Sequence, residues 1–258
     1  GGVMGRRGTA WRLTIALAAL LFAGAMARDR LDDWVATTVL PPLNVETGTE
    51  VIARDGTLLR AFTVADGRWR LDPGPVDPLF TDMLIAYEDR RFAEHNGVDL
   101  KALLRAGLRS LAARRIVSGG STLTMQVARL LEDSGTGRLS GKIRQIRVAL
   151  ALERRLSKTE ILNLYLRIAP YGGNLEGIRA ASIAWLGKEP RRLTPAEAAF
   201  LVALPQSPET RRPDRFPEAA EAARDRVLAA MVARGVLTDD RADAARRSSS
   251  ASRNSSRR

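Results

Sequence analysis

The chain has 258 residues, 45% hydrophobic and 5% aromatic, enough for one sizeable core with appendages and typical of a helical globular protein. Cysteine is absent and His95 is the only histidine, which excludes disulfides, thiolate metal sites and multi-histidine metal sites. The formal charge of +12 suits a polyanionic partner, whether nucleic acid, anionic lipid headgroups or a pyrophosphate, without choosing among them.

The first segment, residues 1–12, carries Arg6, Arg7 and Arg12, and an uncharged run, LTIALAALLFAGAMA, follows at residues 13–27. A basic leading flank keeps the start of the chain in the cytoplasm and sends the remainder across the membrane. The run is shorter than the roughly 20 residues of a full span. Three readings stay open. The preferred one is an uncleaved signal anchor over residues 13–29, with Trp11 and Trp34 suited to the two interfaces; the others are a signal peptide cut near Ala25-Met26-Ala27 and a buried core helix. Export argues against nucleic acid as a partner.

Residues 30–75 read as a stalk followed by a β hairpin, because VIARDGTLLRAFTV (51–64) alternates loosely around the two-residue turn Asp55-Gly56. Pro73 and Pro78 then break the chain. From Leu79 onward the apolar spacing is near 3.6, through Met83 and Tyr87 and again through Leu100, Leu103, Leu104, Leu108 and Leu111. Helix starts are marked by Ser140, by the capping boxes Ser157/Glu160 and Thr194/Glu197, and by Pro217; Gly235 marks a stop. Residues 76–245 form the main domain. The tail 246–258 lacks apolar side chains and is expected to be disordered.

Two short stretches concentrate chemistry: EDRRFAEHNG (88–97) and GGSTLTMQ (119–126). Gly119 and Gly120 allow a turn that a side chain would obstruct, and Ser121 or Thr122 suits the cap of the helix that follows. The free amides of such a helix start favour anions, although a diglycine cap alone is a common structural device. Asp89 follows Glu88 directly, so on a helix it points about 100° away from it. His95 is expected to make a structural hydrogen bond before Gly97, and Phe92 to lie in the core.

Together with GKIRQ (141–145), SKTEILNLYLRIAPYGG (157–173) and the run from Leu193 through LVALPQSPE, these stretches resemble the motif set of the peptidoglycan glycosyltransferase domain. This is the domain of class A penicillin-binding proteins and monofunctional transglycosylases. Five motifs in the family's order extend over roughly residues 50–235, and the IAPYGG and GKIRQ variants look most like the penicillin-binding protein 1C branch.

The resemblance implies a mainly α, lysozyme-like two-lobe fold and an inverting transfer between lipid II units, with undecaprenyl pyrophosphate leaving. It implies catalysis by Glu88, as general base toward a sugar hydroxyl, and by Gln145 at the place of a second glutamate that assists the leaving pyrophosphate. It implies substrate contacts from Asp89, Gly119, Gly120, Ser121, Thr122, Thr124, Gln126, Arg129, Arg138, Lys142 and Arg144, with Lys142 holding phosphate as a point charge. Asp89 is expected more to hold local structure, through an Arg, than to exchange protons. Mg2+ or Mn2+ would accompany the substrate pyrophosphate, with no protein metal site and no organic cofactor. The partners implied are lipid II, the growing glycan strand, the membrane and other cell-wall synthesis proteins, with the domain in the periplasm on a single-pass inner-membrane anchor.

Three departures bear on this. Gln145 hydrogen-bonds but is a poor metal ligand and no acid; the motif's usual arginine is missing at Gly141, with Arg138 and Arg144 near enough to substitute; Met125 stands where Gln is usual. The stretch 205–217 reads as a structural connector. Neither Ser-x-x-Lys nor Lys-Thr-Gly occurs, so penicillin acylation is not expected. Two alternatives are a lysozyme-like hydrolase, which would have no use for Lys142 and Arg129, and a non-catalytic cell-wall scaffold.

Overall fold

A computed structural model describes residues 3–113, 119–132 and 139–255. It divides into two units, Gly1–Leu40 and Pro41–Arg258. The first holds one helix, α1 (Val3–Ala36), whose stretch Trp11–Ala36 has a mean hydropathy of 1.3 and is long and apolar enough to cross a membrane. Its side chains are exposed from Trp11 through Met26, which removes the reading of a buried core helix.

The second unit opens with the expected hairpin. Strands β1 (Glu50–Ile52) and β2 (Leu58–Ala61) pair antiparallel around a turn in which Gly56 takes φ 84° and the Asp55 carboxylate accepts from the Thr57 amide at 3.0 Å. A second pair, β3 (Trp69–Arg70) with β4 (Leu175–Glu176), is parallel and joins segments about a hundred residues apart. Arg68 and Arg70 lock it by pairing with the buried Glu176.

Helices α2 (Pro78–Glu88), α3 (Leu100–Ala113), α4 (Leu123–Leu131), α5 (Leu139–Arg155), α6 (Lys158–Ile168), α7 (Ile178–Leu186), α8 (Pro195–Ala203), α9 (Pro217–Ala233) and α10 (Asp239–Ser255) make up the rest, with a 3-10 turn at Leu204–Gln206. Local chemistry explains their starts. Asp77 caps α2 ahead of Pro78 and also accepts from the Leu193 amide at 2.7 Å, and both predicted capping boxes form. Helix α5 begins at Leu139, one residue ahead of the predicted cap Ser140. Helix α10 runs to Ser255 through most of the tail expected to be disordered; the acidic pair Asp239-Asp240 and the alanines that follow favour its first half, while the serine-rich second half has little helix preference of its own.

Two packed groups of helices result: α4 with α5 and α6, and α8 with α2, α9 and α10. Phe80, Met83 and Leu84 of α2 are buried to 0% exposure, each contributing about 1.5–3 kcal/mol of apolar burial. Met125 is likewise at 0% exposure, which explains how an apolar residue stands where the family motif carries Gln: it is core, not a substrate contact. Helix α3 shows a different pattern. Leu100, Leu104, Leu108 and Leu111 are 69–81% exposed in one stripe, while Leu103 packs toward Gly120.

Gly97 joins the loop after α2 to α5. Its φ is 95°, and a Cβ there would lie 2.8 Å from the Ala149 carbonyl oxygen. Gly97→Ala is therefore expected to cost at least about 2 kcal/mol from strain and forced displacement, read as a lowered midpoint of thermal unfolding.

Candidate active site

Glu88 is the last residue of α2, where the chain leaves the helix and the carboxylate meets both helix groups. Its Oε2 accepts from Gln126 Nε2 of α4 at 2.9 Å, and its Oε1 accepts from Gln206 Nε2 of the 3-10 turn at 2.9 Å. Burial raises its proton affinity above the ordinary glutamate value, against the lowering effect of the two amides and of the Arg211 and Arg234 charges. Arg234 also grips the end of α2, donating to the carbonyls of Ala86 and Tyr87. The result is a carboxylate held in one pose by neutral donors, with its basicity strengthened.

A rigid frame stands behind it. Asp89 is 6% exposed, and its carboxylate accepts from His95 Nε2 at 2.9 Å and from the Leu123 amide at 2.9 Å. His95 Nδ1 accepts from the Gly97 amide at 3.2 Å, which places the imidazole proton on Nε2, facing Asp89. Thr122 caps α4, accepting from the Met125 amide at 3.1 Å and donating to the Gly97 carbonyl at 2.6 Å. Thr124 donates to Glu153 at 2.6 Å, and Lys158 ties Glu153 to the His95 carbonyl. Phe92 is core, edge-on to His95. The loop 89–99 is thereby fastened to α4, α5 and α6.

Next to this frame lies a cationic corner. Lys142 of α5 donates to Ser121 Oγ at 2.6 Å, and its proton affinity is lowered first by burial and then by the Arg129 charge. Among the described residues no carboxylate pairs with Lys142 or with Arg129. Two cations crowded together without a counter-charge make a place where an arriving anion relieves the repulsion.

Comparison with known proteins places this arrangement in a family: a family model described as transglycosylase matches residues 55–232. The chain belongs to the transglycosylase family. It is 50% identical over 228 residues to penicillin-binding protein 1C of Escherichia coli, covering 88% of this chain and 29% of that protein. It is 36% identical over 199 residues to penicillin-binding protein 1A of Pseudomonas aeruginosa, covering 76% and 24%. A crystal structure of penicillin-binding protein 1A from Haemophilus influenzae aligns over 78% of this chain and 20% of that one, at TM-score 0.43 and 20% identity. The chain thus spans less than a third of the length of the curated relatives it matches.

Within this chain the predicted site residues divide. Gln126 meets Glu88 and Lys142 meets Ser121; Ser121 is exposed, and Glu88, Gln126, Arg129 and Lys142 are each partly exposed. Gly119 is exposed at φ 131°, while Gly120 lies where a Cβ would come within 2.9 Å of Leu103, so the diglycine turn serves close packing against α3. Asp89, Thr122 and Thr124 are corrected from substrate contacts to framework: they are 6%, 1% and 0% exposed, with their polar atoms already taken. Asp89 does hold local structure, through His95 rather than an Arg. The same bonds occupy the Leu123 and Met125 amides, so two of the amides at the start of α4 are satisfied internally.

Arg144 is corrected as well. It pairs with Glu132 at 2.7 Å, and two helical positions from Lys142 it faces away from the cationic corner. Arg138 lies outside the described residues. Gln145 shares the face of α5 with Lys142 but is only 6% exposed. Among the described residues no three carboxylates or imidazoles converge, and Gln145 supplies an amide where a carboxylate would bind a cation better.

The stretch 205–217, read as a connector, contributes Gln206 and Arg211 to the site. Arg211 Nη1 donates to the Ala203 carbonyl at 2.6 Å and to Gln206 Oε1 at 3.3 Å. Only the Pro-Gln-Ser sequence breaking an alanine-rich helix hinted that the chain turns here for a purpose.

Proposed function

We propose that this chain is a peptidoglycan glycosyltransferase that joins lipid II units. An acceptor sugar hydroxyl attacks the anomeric carbon of the donor strand, and Glu88 takes the hydroxyl proton as the new C–O bond forms. The bond to the pyrophosphate breaks on the opposite face, inverting the anomeric centre, and undecaprenyl pyrophosphate departs. The observation that carries this reading is the pairing of a half-buried, more basic Glu88, held by Gln126 of α4, with Arg129 one turn further along α4 and with Lys142 of α5 on Ser121. Lys142 and Arg129 hold the leaving anion, which neutralises the repulsion between them. Gln145 stands close behind and offers hydrogen bonds without acid function. Mg2+ or Mn2+, where it takes part, travels with the substrate pyrophosphate and not on a protein cage.

The membrane belongs to the same reading. Helix α1 serves as a single-pass inner-membrane anchor with the catalytic unit on the periplasmic side, and the leucine stripe of α3, flanked by Arg105 and Arg109, meets the lipid surface from which substrate is drawn. Other cell-wall synthesis proteins are the expected protein partners, and nucleic acid is not. A hydrolase would share Glu88 but leave the cationic corner without use.

The test is product analysis. Incubation with labelled lipid II should give glycan strands plus undecaprenyl pyrophosphate, and incubation with finished glycan should release no muropeptides; released muropeptides would favour the hydrolase. A pH dependence follows from Glu88. The base acts only when ionised, and its proton affinity is raised, so kcat/KM should fall on acidification at a pH above the ordinary glutamate value of about 4.3. A rate profile over pH, in detergent micelles, checks the position of that limb.

A further inference from the structure

From the donors around Glu88 we infer that Gln206, oriented by Arg211, is a positioning residue that keeps the Glu88 carboxylate ionised and correctly aimed during transfer. This rests on the reading of Glu88 as the general base. The geometry is specific about the direction of the bonds. Gln206 Oε1 accepts from Arg211 Nη1, so the amide presents its Nε2 hydrogens to Glu88 and a flipped amide would lose both contacts. Arg211 is itself fixed by the Ala203 carbonyl at the end of α8. The chain Arg211 to Gln206 to Glu88 therefore couples the α8 end to the carboxylate on α2.

The second donor, Gln126, comes from α4, so the two carboxylate oxygens are each held from a different helix group. The other groups facing Glu88 are the Arg211 and Arg234 guanidiniums and the buried Tyr165 of α6; Asp89, its neighbour on α2, is committed to His95 and Leu123. Burial opposes ionisation of Glu88, and each charge-assisted hydrogen bond counters it. Gln206 is exposed while Gln126 is partly buried, so Gln206 holds the carboxylate from its solvent side. A residue there that donates without carrying charge holds the base in place without competing for its proton.

The experiment compares the full chain with Gln206→Met, which keeps the side-chain length but removes the donor, and with Gln206→Glu. Two quantities are followed: the pH profile of kcat/KM for lipid II polymerisation, and the titration midpoint of the Glu88 carboxylate by carbon NMR, assigned as the signal that Glu88→Gln removes. Gln206→Met should move both the midpoint and the acidic limb up by about one pH unit, with a roughly tenfold loss of rate below the limb that is recovered on its alkaline side. Gln206→Glu, which sets two carboxylates against each other, should move the midpoint further in the same direction. The melting temperature should stay unchanged in Gln206→Met.

An unmoved midpoint in both variants would overturn the inference, as would an equal loss of rate at every pH. A different failure, full activity in Glu88→Gln, would instead overturn the base assignment, and the NMR midpoint would still report whether Gln206 holds the carboxylate ionised.

Discussion

Glu88→Gln should leave a folded chain that binds substrate and makes no glycan strands. The amide occupies the same volume at the end of α2 but cannot accept the hydroxyl proton, so the transfer loses general-base catalysis, a fall of about 10²–10⁴ in kcat. Binding should survive because the substitution leaves the charges of Lys142 and Arg129 in place. The check is polymerisation of labelled lipid II beside a binding measurement on the same preparation. Lost binding would mean that Glu88 supports the site's shape, and retained polymerisation would remove it from the mechanism.

Asp89→Ala should fail in a different way. The carboxylate is buried and accepts from His95 and from the first amide of α4, so its removal strands two buried donors. At roughly 1–3 kcal/mol for each unsatisfied donor, the loss is about 2–6 kcal/mol of stability. Asp89→Asn keeps one acceptor and should cost less. Thermal unfolding measures the difference, and any activity that remains in the folded fraction should match the native chain per molecule. A variant that melts normally yet fails to bind lipid II would return Asp89 to the substrate-contact role that the motif suggested.

The contrast between these neighbours shows what was legible in the sequence. Capping boxes, the Asp55-Gly56 turn and the helix spacing were readable because each depends on residues within a few positions of one another. Glu88, Gln126 and Lys142 were singled out through the motif resemblance. Thr122 was readable as one of two candidate caps of α4, but the framework role of Thr124 was not, because a hydroxyl that binds Glu153 has the same identity as one that meets a sugar. Arg144 looked like a spare cation until its partner Glu132, on the preceding helix end, was in place. The β3–β4 pair is two residues long on each side and joins distant segments, too little pattern for periodicity to register. Gln206 was hidden because a neutral side chain in a proline-rich connector carries no charge or spacing signal, and only the fold brings it against Glu88. The leucines of α3 were visible as a helical stripe, but the sequence did not say that they face outward.

The central claim is that this chain is an active glycosyltransferase even with Gln145 in place of an acid. The most direct measurement is the yield of glycan strands from labelled lipid II, with Mg2+ or Mn2+ present, for the native chain beside Gln145→Glu. Strands from the native chain are the predicted result. No strands from the native chain, with strands appearing only in Gln145→Glu, would contradict the account and mark the chain as a scaffold whose catalytic site has decayed.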